Sequence, residues 1–225
     1  MQDGFMNEGY LRRLPVYLLL DTSSSMAGDP ITALNEGLGM IQRELMNDPQ
    51  AVETVYISVI SFAEHADQYP LAPLDEFMPP MLQANGRTAM GEAFDLLARS
   101  IEDDLILNTP TQHGDYRPLV FLLTDGEPTD DYRTPFSRIR ALRGSRRPTI
   151  IALGCGNAVN EKMLHEVADN VFLMQTMAPQ TLKSFFQWIS GSVAGASHAV
   201  GGGGTERAAT IEAPTSISGI TYSPY

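Results

Sequence analysis

The chain has 225 residues, 43% of them hydrophobic and 19% charged, with a net charge of −12. This balance suits one sizeable soluble domain with an appendage, and it excludes general nucleic-acid binding, which needs a basic surface. The single cysteine, Cys155, excludes an intrachain disulfide, and the four histidines lack zinc-ligand spacing. No apolar run approaches the roughly 18 residues of a membrane-spanning helix.

Residues 1–10 are polar and read as a loosely ordered extension. Residues 14–20 (Leu-Pro-Val-Tyr-Leu-Leu-Leu) are apolar without alternation, the pattern of a central parallel strand covered on both faces. Arg12-Arg13 before this run resembles an export signal only superficially. The run is short, ends on Asp21 and lacks a small-residue cleavage site, so a cytoplasmic location is expected.

Gly28-Asp29-Pro30 marks a helix start, and Ile31, Leu34, Leu38, Ile41 and Leu45 give that helix an apolar stripe that Asp48-Pro49 ends. Residues 54–62 are β-branched and aromatic and predict a second strand. Residues 66–71 predict a short edge strand, beside irregular chain at Pro70, Pro73, Pro79 and Pro80. The turn Asn85-Gly86-Arg87-Thr88 leads into a helix striped by Met90, Phe94, Leu97, Ile101 and Leu105.

Residues 119–123 form another continuous apolar strand, ending in Thr124-Asp125-Gly126. A helix over 133–142, a strand over 149–153, a short helix over 161–167, a short strand over 171–173 and a last helix over 179–193 complete the pattern. Repeated βα alternation predicts an α/β, doubly wound, Rossmann-like fold. Its sheet is mainly parallel with one short antiparallel edge strand, and helices cover both faces. From Gly195 the composition turns to Gly, Ala, Ser and Thr, so the expected organisation is an extension at 1–10, a domain at 11–194 and a flexible tail at 195–225 with a weak apolar end at 217–225.

Chemistry concentrates at strand ends. Asp21, Ser23 and Ser25 form Asp-x-Ser-x-Ser just past the first strand, and Asp125 stands at the end of another. In an open α/β sheet, ligands sit beyond the carboxyl ends of strands where strand order reverses. If the two strands are neighbours there, the carboxylates converge and Thr88 reaches the same point from a third loop. Two carboxylates and three hydroxyls make an all-oxygen set suited to a hard divalent cation. Read alone, Asp-x-Ser-x-Ser is equally a strand-end turn that caps the next helix.

Asp-x-Ser-x-Ser, a later Thr and Thr-Asp-Gly together resemble the metal-ion-dependent adhesion site of von Willebrand factor A domains. The resemblance implies Mg²⁺ or Mn²⁺ at Asp21, Ser23, Ser25, Thr88 and Asp125, held mostly by neutral hydroxyls and partly through water. It implies an open position for an Asp or Glu carboxylate of a protein partner. Residues 14–23, 53–60, 117–126 and 128–131 are similar to bacterial proteins of tellurite-resistance and stress-response operons. That likeness, over roughly 11–194, implies a cytoplasmic, non-enzymatic adaptor beside a Ser/Thr kinase and a metal-dependent phosphatase.

Two other classes compete. A metal-dependent hydrolase, such as a phosphatase, uses similar groups. Against it, Ser23 replaces the Asp expected two positions after an aspartyl nucleophile, and no Gly-x-Ser-x-Gly elbow or P-loop is present. The other class is a metal-free scaffold. Asp29, Asp130 and Asp131 are read either as acceptors behind the metal ligands or as helix-start carboxylates. Gly154-x-Gly156 lacks the rest of a dinucleotide fingerprint, and Cys155 reads as a buried small residue. Arg133, Arg138, Arg140, Arg143, Arg146 and Arg147 read either as a solvated, ion-paired face or as a dock for an acidic or phosphorylated partner.

Overall fold

In the computed structural model, residues 12–109, 113–201 and 219–224 are described. The expected extension at 1–10 and residues 202–218 of the expected tail lie outside them. Strands β1 (Leu14–Asp21), β2 (Val55–Phe62), β3 (Ala66–Pro73), β4 (Leu119–Thr124), β5 (Thr149–Cys155), β6 (Asn170–Met174) and β7 (Ile220–Ser223) form one sheet. Their order is β3-β2-β1-β4-β5-β6-β7. The inner strands are parallel, while β3 and β7 run antiparallel at the two edges. Helices α1 (Asp29–Leu45), α2 (Pro49–Thr54), α3 (Met90–Asp104), α4 (Arg133–Ala141), α5 (Glu161–Val167) and α6 (Pro179–Gly201) cover it.

Strand β1 shows why its run is apolar without alternation. Val16, Leu18 and Leu20 pack with Leu34, Leu38, Phe185 and Phe186 of α1 and α6. Tyr17 and Leu19 pack with Phe94, Leu97, Ile139 and Leu164 of α3, α4 and α5. Both faces are buried, so both side-chain sets must be apolar. Gly37 sets the approach of α1 to α6: a Cβ there would lie 2.2 Å from the Phe186 ring. Phe186 is fully buried, so the ring has nowhere to swing. Gly37→Ala is expected to destabilise the fold by about 2 kcal/mol through overpacking. Pairing it with Phe186→Leu should recover part of that loss, a coupling that a double-mutant denaturation cycle measures.

Three expectations change. Asp48-Pro49 does more than end the first helix: the Asp48 carboxylate accepts from the amides of Gln50 and Ala51 and starts α2. The flexible tail does not begin at 195, because α6 continues to Gly201. There Ser197 is buried against Thr54 with their hydroxyls 2.7 Å apart, and His198 lies 2.8 Å from Asp48. Ala196 and Ser197, read as linker composition, are small buried residues on the side of α6 that meets α2. Finally, Ile220–Ser223 pairs with β6, and Tyr222 lies 5.5 Å from Phe172 between ring centres. Among the described residues no helix is long and apolar enough to cross a membrane.

Candidate metal centre

The chain enters the sheet at β1, builds β2 and β3 on one side, then returns to build β4 to β6 on the other. Strand order therefore reverses between β1 and β4. Leu20 pairs with Leu123 in the register, so Asp21 and Thr124 emerge side by side. The Asp21 carboxylate is fully buried. One oxygen accepts the Ser23 amide at 2.9 Å, and the other accepts the Thr124 hydroxyl at 2.6 Å.

After Asp21 the backbone turns through a 3-10 turn at Ser24–Met26. The Ser25 hydroxyl donates to Asp125 at 2.8 Å, and the Ser23 and Ser25 oxygens are 2.9 Å apart. Because the single Ser25 proton goes to Asp125, Ser23 donates to Ser25. Among the described residues both carboxylates thus have only neutral donors as hydrogen-bond partners. Ser24 stands apart: its amide and hydroxyl both bond the Gly86 carbonyl, fixing this turn to the next loop. Gly86 has φ +62°, and a Cβ there would sit 2.6 Å from the Glu64 amide, so this turn requires glycine.

Thr88 arrives from that loop, two residues before α3 begins. Its amide bonds the Thr129 hydroxyl at 3.2 Å and its carbonyl accepts the Thr129 amide at 3.0 Å. Its hydroxyl bonds no described residue and faces Gly126, where a Cβ would lie 3.7 Å away. Asp130 then caps α3 across the loops, accepting from the amides of Gly91 and Glu92. Asp131 caps α4 through Arg133 and Thr134, and Asp29 lies in the first turn of α1. Asp130 and Asp131 are therefore helix-start carboxylates, and Asp130 also locks the Thr88 loop to the Asp125 loop.

The five sequence-selected residues, Asp21, Ser23, Ser25, Thr88 and Asp125, meet at one end of the sheet. Sequence reasoning left out Thr124 as the group that orients Asp21; the signal was its place beside Asp125 at the strand end. Burial raises the pKa of Asp21 above the ordinary carboxylate range, opposed by the bonds from Ser23 and Thr124 and reinforced by the Asp125 charge. Burial raises Asp125 as well, opposed by Ser25. Two desolvated acids without a basic partner among the described residues make a site that a cation relieves.

The donor set tests which cation fits. Among the described residues no cluster of three His, Cys, Asp or Glu exists, so a soft or carboxylate-rich cage is absent there. Two carboxylates with three hydroxyls suit a hard divalent ion that keeps some water. Cys155 is buried and its thiol is pushed up by desolvation, with the Asp125 and Asp21 charges adding to it. It is a packing residue.

A family model described as von Willebrand factor type A domain matches residues 16–187. A search of curated proteins gives no match. Among solved structures, the chain resembles a von Willebrand factor type A protein from Catenulispora acidiphila at 20% identity and TM-score 0.62, over 82% of this chain and 43% of that one. It also resembles proximal thread matrix protein 1 of the mussel byssus, solved with a zinc-occupied MIDAS motif (the metal-ion-dependent adhesion site), at 16% identity and TM-score 0.58, over 83% and 49%. The pilus adhesin SpaC of Lactobacillus rhamnosus GG matches at 12% identity and TM-score 0.61, over 82% and 31%. The chain spans less than half of each of these three proteins. With the family match covering most of the sheet, the chain belongs to the von Willebrand factor type A domain family, which includes metal-dependent protein-interaction modules.

Proposed function

We propose that this domain is a cation-dependent protein-interaction module that captures an Asp or Glu carboxylate of a partner. The observation that carries the reading is the convergence of Asp21, Ser23, Ser25, Thr88 and Asp125 with no basic partner for either acid among the described residues. Mg²⁺ or Mn²⁺ at this site would have its formal charge balanced by the two carboxylates but would keep coordination positions held only by water, one of which a partner's carboxylate can take. Ser23, Ser25 and Thr88 offer neutral oxygens. Thr124 holds the Asp21 carboxylate in place, and Asp130 fixes the loop that presents Thr88.

The role is binding rather than catalysis. Buried Cys155 offers no thiolate nucleophile. Within that role, the sequence likeness to tellurite-resistance and stress-response proteins supports a cytoplasmic signalling adaptor. Its partners would be a Ser/Thr kinase and a metal-dependent phosphatase.

The test is metal titration across pH, with and without an Asp-containing peptide. Burial raises the pKa values of Asp21 and Asp125 in the fold, so between the ordinary carboxylate range and the raised values the metal-free protein holds protons that the unfolded chain has released. This contribution to stability is full below the ordinary carboxylate pKa and is lost as pH rises through the raised values. A cation needs both acids ionised, so its affinity moves the opposite way. Apparent affinity should fall as pH drops through the raised range, by roughly tenfold per pH unit for each proton displaced. The peptide should bind only with the cation present; equal binding in chelator would sink the proposal.

A further inference from the structure

A cavity of about 550 Å³ opens at the opposite end of the molecule from the metal centre. It lies where α4 ends, α5 ends and β5 begins. Phe136, Ile139, Ile150 and Val167 are its buried apolar residues, and Arg140, Arg143 and Arg147 line it too. In a chain of net charge −12 such a concentration of guanidinium groups is unexpected.

The arginines of this region divide by their partners. Arg138 pairs with Glu102 and Asp95, Arg133 pairs with Glu166, and Arg146 donates to the Glu102 carbonyl. Arg140, Arg143 and Arg147 have no carboxylate partner among the described residues. Arg143 donates one nitrogen to the carbonyls of Arg140 and Leu142 at the end of α4, which fixes its guanidinium and leaves its other donors free. Two acids also line the cavity, but each is engaged. Glu166 accepts from Tyr132 and Arg133, and Asp169 accepts the Ile150 amide at 2.8 Å.

We propose that this cavity binds a phosphomonoester dianion, with Arg140, Arg143 and Arg147 on the phosphate and the apolar floor under the group that carries it. Planar guanidinium forks match phosphate oxygens, and such charge-assisted bonds are among the stronger hydrogen bonds. The volume falls within the usual range for small-ligand sites. The acidic remainder of the surface repels a polyanion such as nucleic acid, whereas a single concentrated dianion meets the local positive field. The ligand is a phosphorylated side chain of a protein segment or a small phosphorylated molecule; both present the same group.

The test is calorimetric titration at low ionic strength in chelator, using phenyl phosphate, a phosphoserine peptide and its unphosphorylated form. The full chain, Arg140→Ala/Arg147→Ala and Asp21→Asn are compared. Both altered arginines are exposed and hold no other element in place, so the double variant should fold. Saturable one-site binding of a phosphorylated probe is expected, weakened roughly tenfold or more in the double variant and retained in Asp21→Asn. The tighter of the two probes identifies the source, peptide or small molecule. Absence of saturable binding, equal binding of the unphosphorylated peptide, or unchanged binding in the arginine variant overturns the site. Loss of binding in Asp21→Asn places the anion at the metal centre and overturns it too.

Discussion

Asp21→Asn is expected to abolish stabilisation by Mg²⁺ while leaving the metal-free fold at least as stable at neutral pH. The Asn oxygen keeps the Ser23 amide bond, and its amino group donates to the Thr124 hydroxyl in place of the bond that Asp21 accepts. What disappears is a buried negative charge that the empty fold disfavours. A bound cation at a hundredfold excess over its Kd stabilises the wild type by about 2.7 kcal/mol. In a chain of this size that is a rise in Tm of roughly 5–10 °C. Thermal melts with Mg²⁺ and with chelator should show this gap for the wild type and none for the variant. A gap that survives in Asp21→Asn would place the cation elsewhere.

Gly91→Ala should damage stability and metal binding together, without changing a ligand. A Cβ at Gly91 would lie 2.3 Å from the Asp131 carbonyl oxygen and 2.8 Å from its carbon, and backbone cannot rotate away as a side chain can. The same residue gives its amide to Asp130, three positions after Thr88. The two loops must therefore part, and Thr88 leaves its place beside Gly126. The expected cost is about 3 kcal/mol, with Mg²⁺ affinity reduced roughly tenfold or more, within the range seen when groups behind metal ligands are removed. Gly191→Ala is the control. Nothing lies within 4 Å of its Cβ position in α6, so it should stabilise by about 0.5–1 kcal/mol and leave metal affinity unchanged. Denaturant unfolding and calorimetry of the two variants separate the outcomes.

The parts of the molecule legible in the sequence were those governed by local pattern. Doubly buried strands such as β1 and β4 declare themselves by unbroken apolar runs, and α3 by its three-and-four spacing. The site was legible because its ligands cluster in two short motifs at strand ends. What stayed hidden depends on partners distant in sequence. Ser197 meets Thr54 across 143 positions, so a small-residue stretch that looks like linker is helix. Asp130 caps a helix that begins 40 residues earlier, which no local capping pattern reveals. The arginine cluster looked uniform in one dimension; only their partners separate the paired Arg133 and Arg138 from Arg140, Arg143 and Arg147.

The most direct test of the central claim is calorimetric titration of Mg²⁺, after chelator treatment, into the wild type and Asp21→Asn, each with and without an Asp-containing peptide. One site is expected in the wild type, tightened by the peptide, and no binding in the variant under either condition. A wild type that binds no divalent cation even with the peptide present, or a variant that binds as the wild type does, would contradict the claim.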